Sequence, residues 1–310
     1  MSTSNDGDWI LAHLSDPHLT RLEDLKATDL MNKRVLGYLS WRRRRRHEHR
    51  PEVLDALLAD LESICPDHVA ITGDLTHLGT RQEFEEVSEW LPRVGSPRQV
   101  TVVPGNHDAY TAEPWEATYA RWAPYMCSDE RSADGDDGER SAFPSLRVRG
   151  DVALIGASSA VPSLPLFATG RVGRDQLDAL SHMLRQTGEA GLFRVLLLHH
   201  PPVPGSIQWR KRLTDAADLA SVISQQGVEL VLHGHAHRAN LNWLSTPSGR
   251  APAVGVRSAS ELSDTPERLA EYHVFRVRTR SGEPRISMSV RRYSEHKGGF
   301  AAVGEDQVFQ

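Results

Sequence analysis

The chain has 310 residues, enough for one large α/β domain or two small ones. Its 39% hydrophobic and 25% charged residues exclude a mainly disordered chain, a collagen and a coiled coil. The 36 Lys and Arg against 41 Asp and Glu leave a net charge of −5, which argues against a globally basic nucleic-acid binder and leaves only a local basic patch open.

The first apolar run, Trp9–Leu14, reads as a buried strand that stops at Ser15-Asp16. Between it and the next element lies a basic insert, at about residues 20–50. Leu30, Met31, Val35, Leu36, Tyr38, Leu39 and Trp41 there precede the run Arg42–Arg46 at partly helical spacing. Pro51–Ile64 reads as a helix. Pro51 suits the first turn, and Val53, Leu54, Leu57, Leu58 and Leu61 recur on one face. Val69–Thr72 is a predicted strand stopping at Gly73-Asp74, Arg81–Leu91 a helix, and Val100–Val103 a strand stopping at Pro104-Gly105. The acidic stretch Ser128–Arg140 reads as a solvated loop.

Strand and helix patterns alternate again at Val152–Ile155, Gln176–Leu184, Val195–Leu198, Leu219–Ile223 and Val228–Leu232. From there the pattern is all-β, at Asn242–Leu244, Ala253–Val256, Tyr272–Arg278 and Arg285–Arg291. The stretch from about residue 255 to 310 would complete the second sheet or form a subunit contact. Met1–Asp8 is polar, and no run approaches the roughly 18 apolar residues of a membrane span, so a cytoplasmic protein is expected.

Fifteen histidines are the compositional outlier, and imidazole in excess suggests metal. The two cysteines, Cys65 and Cys127, form neither a disulfide framework nor a zinc knuckle. Five segments just after predicted strands carry the chemistry: Asp16-Pro17-His18, Gly73-Asp74, Gly105-Asn106-His107-Asp108, His199-His200-Pro201-Pro202 and His233-Gly234-His235-Ala236-His237. In an open α/β sheet the carboxyl ends of strands converge on one crevice, so these turns are expected to meet. By contrast, His47-Glu48-His49 reads as a chance pairing.

Taken together, these motifs resemble those of the calcineurin-like metallophosphoesterases, in the style of the bacterial branch that includes class III cyclic nucleotide phosphodiesterases. The resemblance implies an α/β fold, a four-layer α/β/β/α sandwich of two mixed sheets, as a single domain over residues 1–310. It implies that Asp16, His18, Asp74 and His237 hold one metal ion, and Asp74, Asn106, His199 and His235 the other, with Asp74 as the bridge. His199 is taken over His200 on the same alignment. It also implies that His107 stabilises charge or protonates the leaving oxygen, with Asp108 orienting it. Strand alternation makes His200, His233 and His13 core or bracing residues.

The donor set of two carboxylates, four imidazoles and one amide oxygen suits two divalent or mixed-valence ions of Mn, Fe, Zn or Co better than Ca or Mg. Such a pair would turn water into a hydroxide nucleophile and clamp both sides of an in-line displacement. The expected activity is a metal-dependent phosphodiesterase acting on a phosphoester small molecule or a lipid headgroup. A phosphomonoesterase, a lipid-linked pyrophosphate hydrolase at the membrane surface and a non-catalytic scaffold are the alternatives. Arg42–Arg46 would be a solvated helix end, an anionic-membrane contact at the inner face, a basic lip for substrate, or a nucleic-acid contact, the last disfavoured. Oligomeric state is left open.

Overall fold

The computed structural model describes residues 8–19, 22, 33–129, 142–263, 265–279 and 285–309. The expected acidic loop lies largely outside these residues, as do Leu30 and Met31 of the basic insert.

Two six-stranded mixed sheets face each other. The first runs in the order β12-β11-β10-β1-β2-β3, from β1 (Trp9–Leu14), β2 (His68–Ile71), β3 (Val100–Val102), β10 (Glu271–Arg278), β11 (Arg285–Ser294) and β12 (Gly299–Phe309). The second runs β4-β5-β6-β7-β9-β8, from β4 (Ser145–Arg149), β5 (Val152–Gly156), β6 (Phe193–Leu197), β7 (Leu230–His233), β8 (Asn240–Thr246) and β9 (Gly249–Gly255). Strands β1, β2 and β3 are parallel, as are β5, β6, β7 and β9. The C-terminal strands extend the first sheet, not the second: β10 pairs antiparallel to β1, and β11 and β12 follow, each antiparallel to its neighbour.

Period-2 alternation divides each central strand between two cores. In β1, Leu11 packs between the sheets while Ala12 and Leu14 pack under the helices. In β6, Val195 and Leu197 face the other sheet and Leu196 faces the outer helices. The helices close the sandwich. On the first sheet lie α3 (Pro51–Ile64), α4 (Arg81–Val94) and α5 (Ala123–Met126); on the second lie α6 (Arg174–Glu189) and α7 (Ala216–Gln226). The layers are therefore α/β/β/α. Two short helices, α1 (Arg34–Ser40) and α2 (Arg46–Glu48), join through one π-helical stretch, Trp41–Arg45.

Local chemistry sets the helix ends that matter here. Pro51 opens α3, where its missing N–H costs nothing. Thr80 and Glu83 form a capping box at α4. Buried Glu83 also accepts the N–H groups of His77 (2.6 Å) and Leu78 (3.1 Å), so the cap of α4 fixes the loop leaving β2. Leu22, Trp41 and Leu78 form a small separate core, and Arg34 donates to the carbonyls of Leu78 (3.1 Å) and Gly79 (2.7 Å). The basic insert is thereby anchored to the same loop.

Imidazoles also sit inside the inter-sheet layer. His13 reaches Thr72 Oγ1 at 2.9 Å and His68 reaches Thr101 Oγ1 at 2.8 Å. Burial, aided by nearby cations, pushes His68 down to about 3, so it is neutral at pH 7 and satisfied by a hydroxyl.

Candidate metal centre

The turns after β1, β2, β3, β6 and β7 meet at one edge of the sandwich and bring together all seven side chains expected to hold metal. The ligand atoms of Asp16, His18 and His237 lie within 4.8 Å of one another, and those of Asp74, His199 and His235 do likewise. Within the second group His199 Nε2 is 3.3 Å from Asp74 Oδ2, 3.2 Å from Asn106 Oδ1 and 3.1 Å from His235 Nδ1. The two groups are tied by the backbone N–H of His235, which donates to Asp16 Oδ2 (3.0 Å), and by that of Asp16, which donates to the Gly73 carbonyl (2.9 Å).

Each ligand imidazole has its other nitrogen committed. His18 Nδ1 bonds the carbonyl of Thr76 (2.8 Å) and His199 Nδ1 that of Thr72 (2.7 Å). His235 Nε2 bonds the carbonyl of Lys211 (2.9 Å), and His237 Nδ1 meets Glu261 Oε2 at 3.1 Å. A nitrogen donating outward leaves the opposite nitrogen as a lone-pair donor pointing inward, the arrangement a metal-binding histidine requires. His18 Nε2 is buried and has no hydrogen-bond partner among the described residues. A buried acceptor left bare inside a set of carboxylates and imidazoles fits a cation, so the residues present fit a pair of divalent ions.

The backbone is bent to build this arrangement. Among the described residues seven non-glycine residues have positive φ, and five of them are Asp16 (51°), His18 (42°), Asp74 (55°), His235 (68°) and His237 (49°). Such left-handed conformations are disfavoured for L-residues, and surrounding structure must hold them. Two glycines make the close approach feasible. A Cβ on Gly105 would run into the Asp74 carboxylate, and one on Gly234 into Ser15 Oγ and Asp16 Oδ2.

Without cations the charges compensate one another. Burial alone would lower the His199 imidazole, but the adjoining Asp74 carboxylate reverses this and lifts it to about 9. Burial acts the same way on His237, and Asp16 with Glu261 lifts it to about 9. Burial raises Asp74, yet His199 and His107 together hold it well below the usual carboxylate range. Burial and neighbouring imidazoles push His18 and His235 well below the ordinary value.

The backbone N–H of His107 donates to Asp74 Oδ1 (2.7 Å), and its ring Nδ1 lies 2.5 Å from the carbonyl of His77. The orienting partner is therefore His77, where the sequence reading put Asp108. The Asp108 carboxylate instead accepts from Gly105 N–H (2.9 Å), Thr76 N–H (2.9 Å) and Thr76 Oγ1 (2.9 Å), clamping the β2 and β3 turns together. Burial and then the nearby Asp74 raise Asp108 to about 7. His200 and His233 are fully buried; His200 Nδ1 bonds Ser159 Oγ at 2.8 Å. A cavity of about 640 Å³ opens over the centre, lined by Asp74, Asn106, His107, His235 and His237 with Lys211 and Arg268.

A family model for "Calcineurin-like phosphoesterase" matches residues 11–239, most of the 310. The chain belongs to that family. Among relatives of this phosphoesterase, a "Probable cyclic nucleotide phosphodiesterase" of Synechococcus is 31% identical over 216 residues, 68% of this chain and 72% of the relative. A "cAMP/cGMP dual specificity phosphodiesterase" of Mycobacterium tuberculosis is 23% identical over 257 residues, 80% of this chain and 68% of the relative. A dimetal phosphatase from Danio rerio superposes with a TM-score of 0.62 at 16% identity, covering 98% of this chain and 99% of that one. At that identity the likeness speaks for the fold.

Three residues beside the phosphoesterase centre escaped the motif reading. His77 stacks on His18 (4.8 Å between ring centroids, 11° between planes), and His49 lies 4.6 Å from the same ring. His49 is buried, bonds Ser260 Oγ at 2.7 Å and bridges to Glu261. His47-Glu48-His49 thus has one member at the centre and one exposed. Glu261 is fully buried between His237 and Arg268 Nε (2.6 Å). No spacing marks Glu261; only its place after β9 and Ser258, whose hydroxyl donates to the Asp16 carbonyl (2.7 Å), brings it there.

Proposed function

We propose that the chain is a dinuclear metal-dependent phosphodiesterase acting on a small anionic phosphoester. Asp16, His18 and His237 would hold one ion and Asn106, His199 and His235 the other, with Asp74 between them. Mn, Fe, Zn or Co suit this mixture of imidazole and carboxylate donors. Bound there, the ions would supply Lewis acidity toward phosphoryl oxygen and lower the pKa of water.

The chain's own residues do the rest. The Thr72, Thr76 and Lys211 carbonyls and Glu261 orient the ligand imidazoles. His107, half-buried and lining the cavity, is fixed by the His77 carbonyl with Nδ1 as donor, so its ring faces the phosphoester from a set direction. It would stabilise negative charge on the phosphoryl oxygens or give a proton to the leaving oxygen. Asp108 positions the two turns and does not touch substrate. Lys211 and Arg268 on the cavity wall add positive charge for an anionic ligand.

The observation that carries this reading is the pair of adjoining three-residue ligand groups beneath one cavity with His107 on its wall. The diester preference draws on what the Synechococcus and Mycobacterium relatives are named for. The test is hydrolysis of bis(p-nitrophenyl) phosphate, p-nitrophenyl phosphate and cyclic AMP after loading with each of the four metals. Diester turnover above monoester turnover is expected. A clear monoester preference would overturn the diesterase reading, and one bound ion or fewer per chain after loading would overturn the dinuclear one.

A further inference from the structure

Eleven large apolar side chains are exposed among the described residues, and six of them belong to segments around one opening: Val35, Leu36 and Leu39 on α1, Leu164 and Leu166 before α6, and Trp209. Leu164 is 72%, Leu166 81% and Trp209 62% exposed. Leu166 also has φ 68°, so the chain adopts an unfavourable backbone while presenting a leucine to solvent.

The three segments form one rim. Lys33 Nζ donates to the Ser163 carbonyl (2.8 Å), tying the start of α1 to the second segment. The rings of Phe167 and Trp209 meet edge to face at 5.6 Å, tying the second to the third. A cavity of about 300 Å³ lies inside the rim, lined by Leu36, Leu166 and Phe167 at its outer part and by Asn106 and His107 at its inner part. The rim therefore flanks one side of the opening over the metal centre, whose other wall is formed by Arg238, Asn240 and Arg268.

Charge decides what fits this surface. Residues 33–47, 160–173 and 201–214 contain eleven Lys and Arg and no Asp or Glu, in a chain whose net charge is −5. Arg42, Arg43, Arg46, Arg210 and Lys211 are exposed. A nucleic acid would match the cations but not the exposed leucines. An anionic bilayer matches both: lipid phosphates take the cations while leucine, valine and tryptophan enter the acyl boundary. No helix among the described residues is long and apolar enough to cross a membrane, so the fit is to a surface contact.

We infer that the α1, Leu164–Leu166 and Trp209 rim docks on an anionic lipid bilayer, so that the catalytic groove opens at the membrane surface. The test is co-sedimentation of the full chain with vesicles of phosphatidylcholine alone and of phosphatidylcholine with about a quarter phosphatidylglycerol, at about 0.15 M salt. The protein is expected to pellet with the second and not the first. The double variant Leu39→Glu/Leu164→Glu changes two exposed side chains that do not line the cavity. It should hydrolyse soluble bis(p-nitrophenyl) phosphate as the parent does, yet bind the anionic vesicles at least about tenfold more weakly. Failure to pellet with anionic vesicles, equal pelleting with both vesicles, or unchanged binding by the double variant would overturn the inference. Tighter binding to an RNA homopolymer than to the vesicles would do the same.

Discussion

Replacing Glu261 by Gln tests how the centre is tuned, because the substitution keeps shape and removes charge. Glu261 Oε2 sits 3.1 Å from His237 Nδ1, and the carboxylate is fully buried. Two effects oppose each other. The carboxylate makes the imidazole a stronger donor, and losing such a partner typically costs about 10–100-fold in metal affinity. The same carboxylate helps to lift His237 to about 9, so at pH 7 a proton competes with metal by about two pH units, roughly 100-fold or about 2.7 kcal/mol. Glu261→Gln weakens the donor and also its proton. The deficit should therefore be largest near pH 8.5, at about 10–100-fold, and should narrow toward pH 6.5 as proton competition falls away in the variant. Titration calorimetry with Mn²⁺ on metal-free protein across that range reads both. Equal affinity of parent and variant at pH 8.5 would refute the assignment of Glu261 as the residue that tunes His237.

Two further expectations follow from the same geometry. His107→Ala keeps its backbone N–H on Asp74 and should retain bound metal while kcat falls about 10²–10⁴-fold; metal analysis beside single-turnover kinetics separates the two, and loss of metal would move His107 into the binding set. For metal-free protein, His199 and His237 are raised to about 9, so their contribution to stability is full below about 6.5 and is lost as pH rises through 9; Asp108, raised to about 7, has the same sign at lower pH. The buried histidines whose pKa is lowered, His18, His68 and His235 among them, act with the opposite sign as pH falls through about 6.5, so the window that isolates the raised pair lies above it. Melting after chelation should give a higher Tm at pH 7.5 than at pH 9, and a higher Tm at pH 9 would contradict these charge states.

Much of this was legible in the chain because strand and ligand signals coincide. Trp9–Leu14 and Pro51–Ile64 appear with the expected bounds, since a continuous apolar run and a proline-led 3.6 period are each unambiguous. Other elements shifted by a residue or lengthened, as with α6, which begins at Arg174 and ends at Glu189 through polar turns that carry no periodic signal. β4 was not anticipated, and β12 was expected only as part of a β-rich stretch reaching residue 310. Both are edge strands, where Arg147 and Arg149 or Gly304, Glu305 and Asp306 interrupt the apolar alternation, and pairing alone defines them. The seven ligand positions follow strand ends and so could be expected to converge. His49 and Glu261 reach the centre through the bridge between their own backbones, a contact between residues more than 200 apart that no local pattern encodes.

The left-handed backbone at five ligand positions shapes how this centre can change. Any residue placed at Asp16, His18, Asp74, His235 or His237 inherits a conformational penalty of about 1–3 kcal/mol at that position, whatever donor it brings. Asn106 and His199 carry no such positive φ. Exchange of donor type, and with it drift from one transition metal toward another, is therefore least obstructed at those two positions. Both fall in the group with Asp74 and His235, so on the proposed two-ion reading that site would be the adaptable one and the Asp16, His18 and His237 site the fixed one.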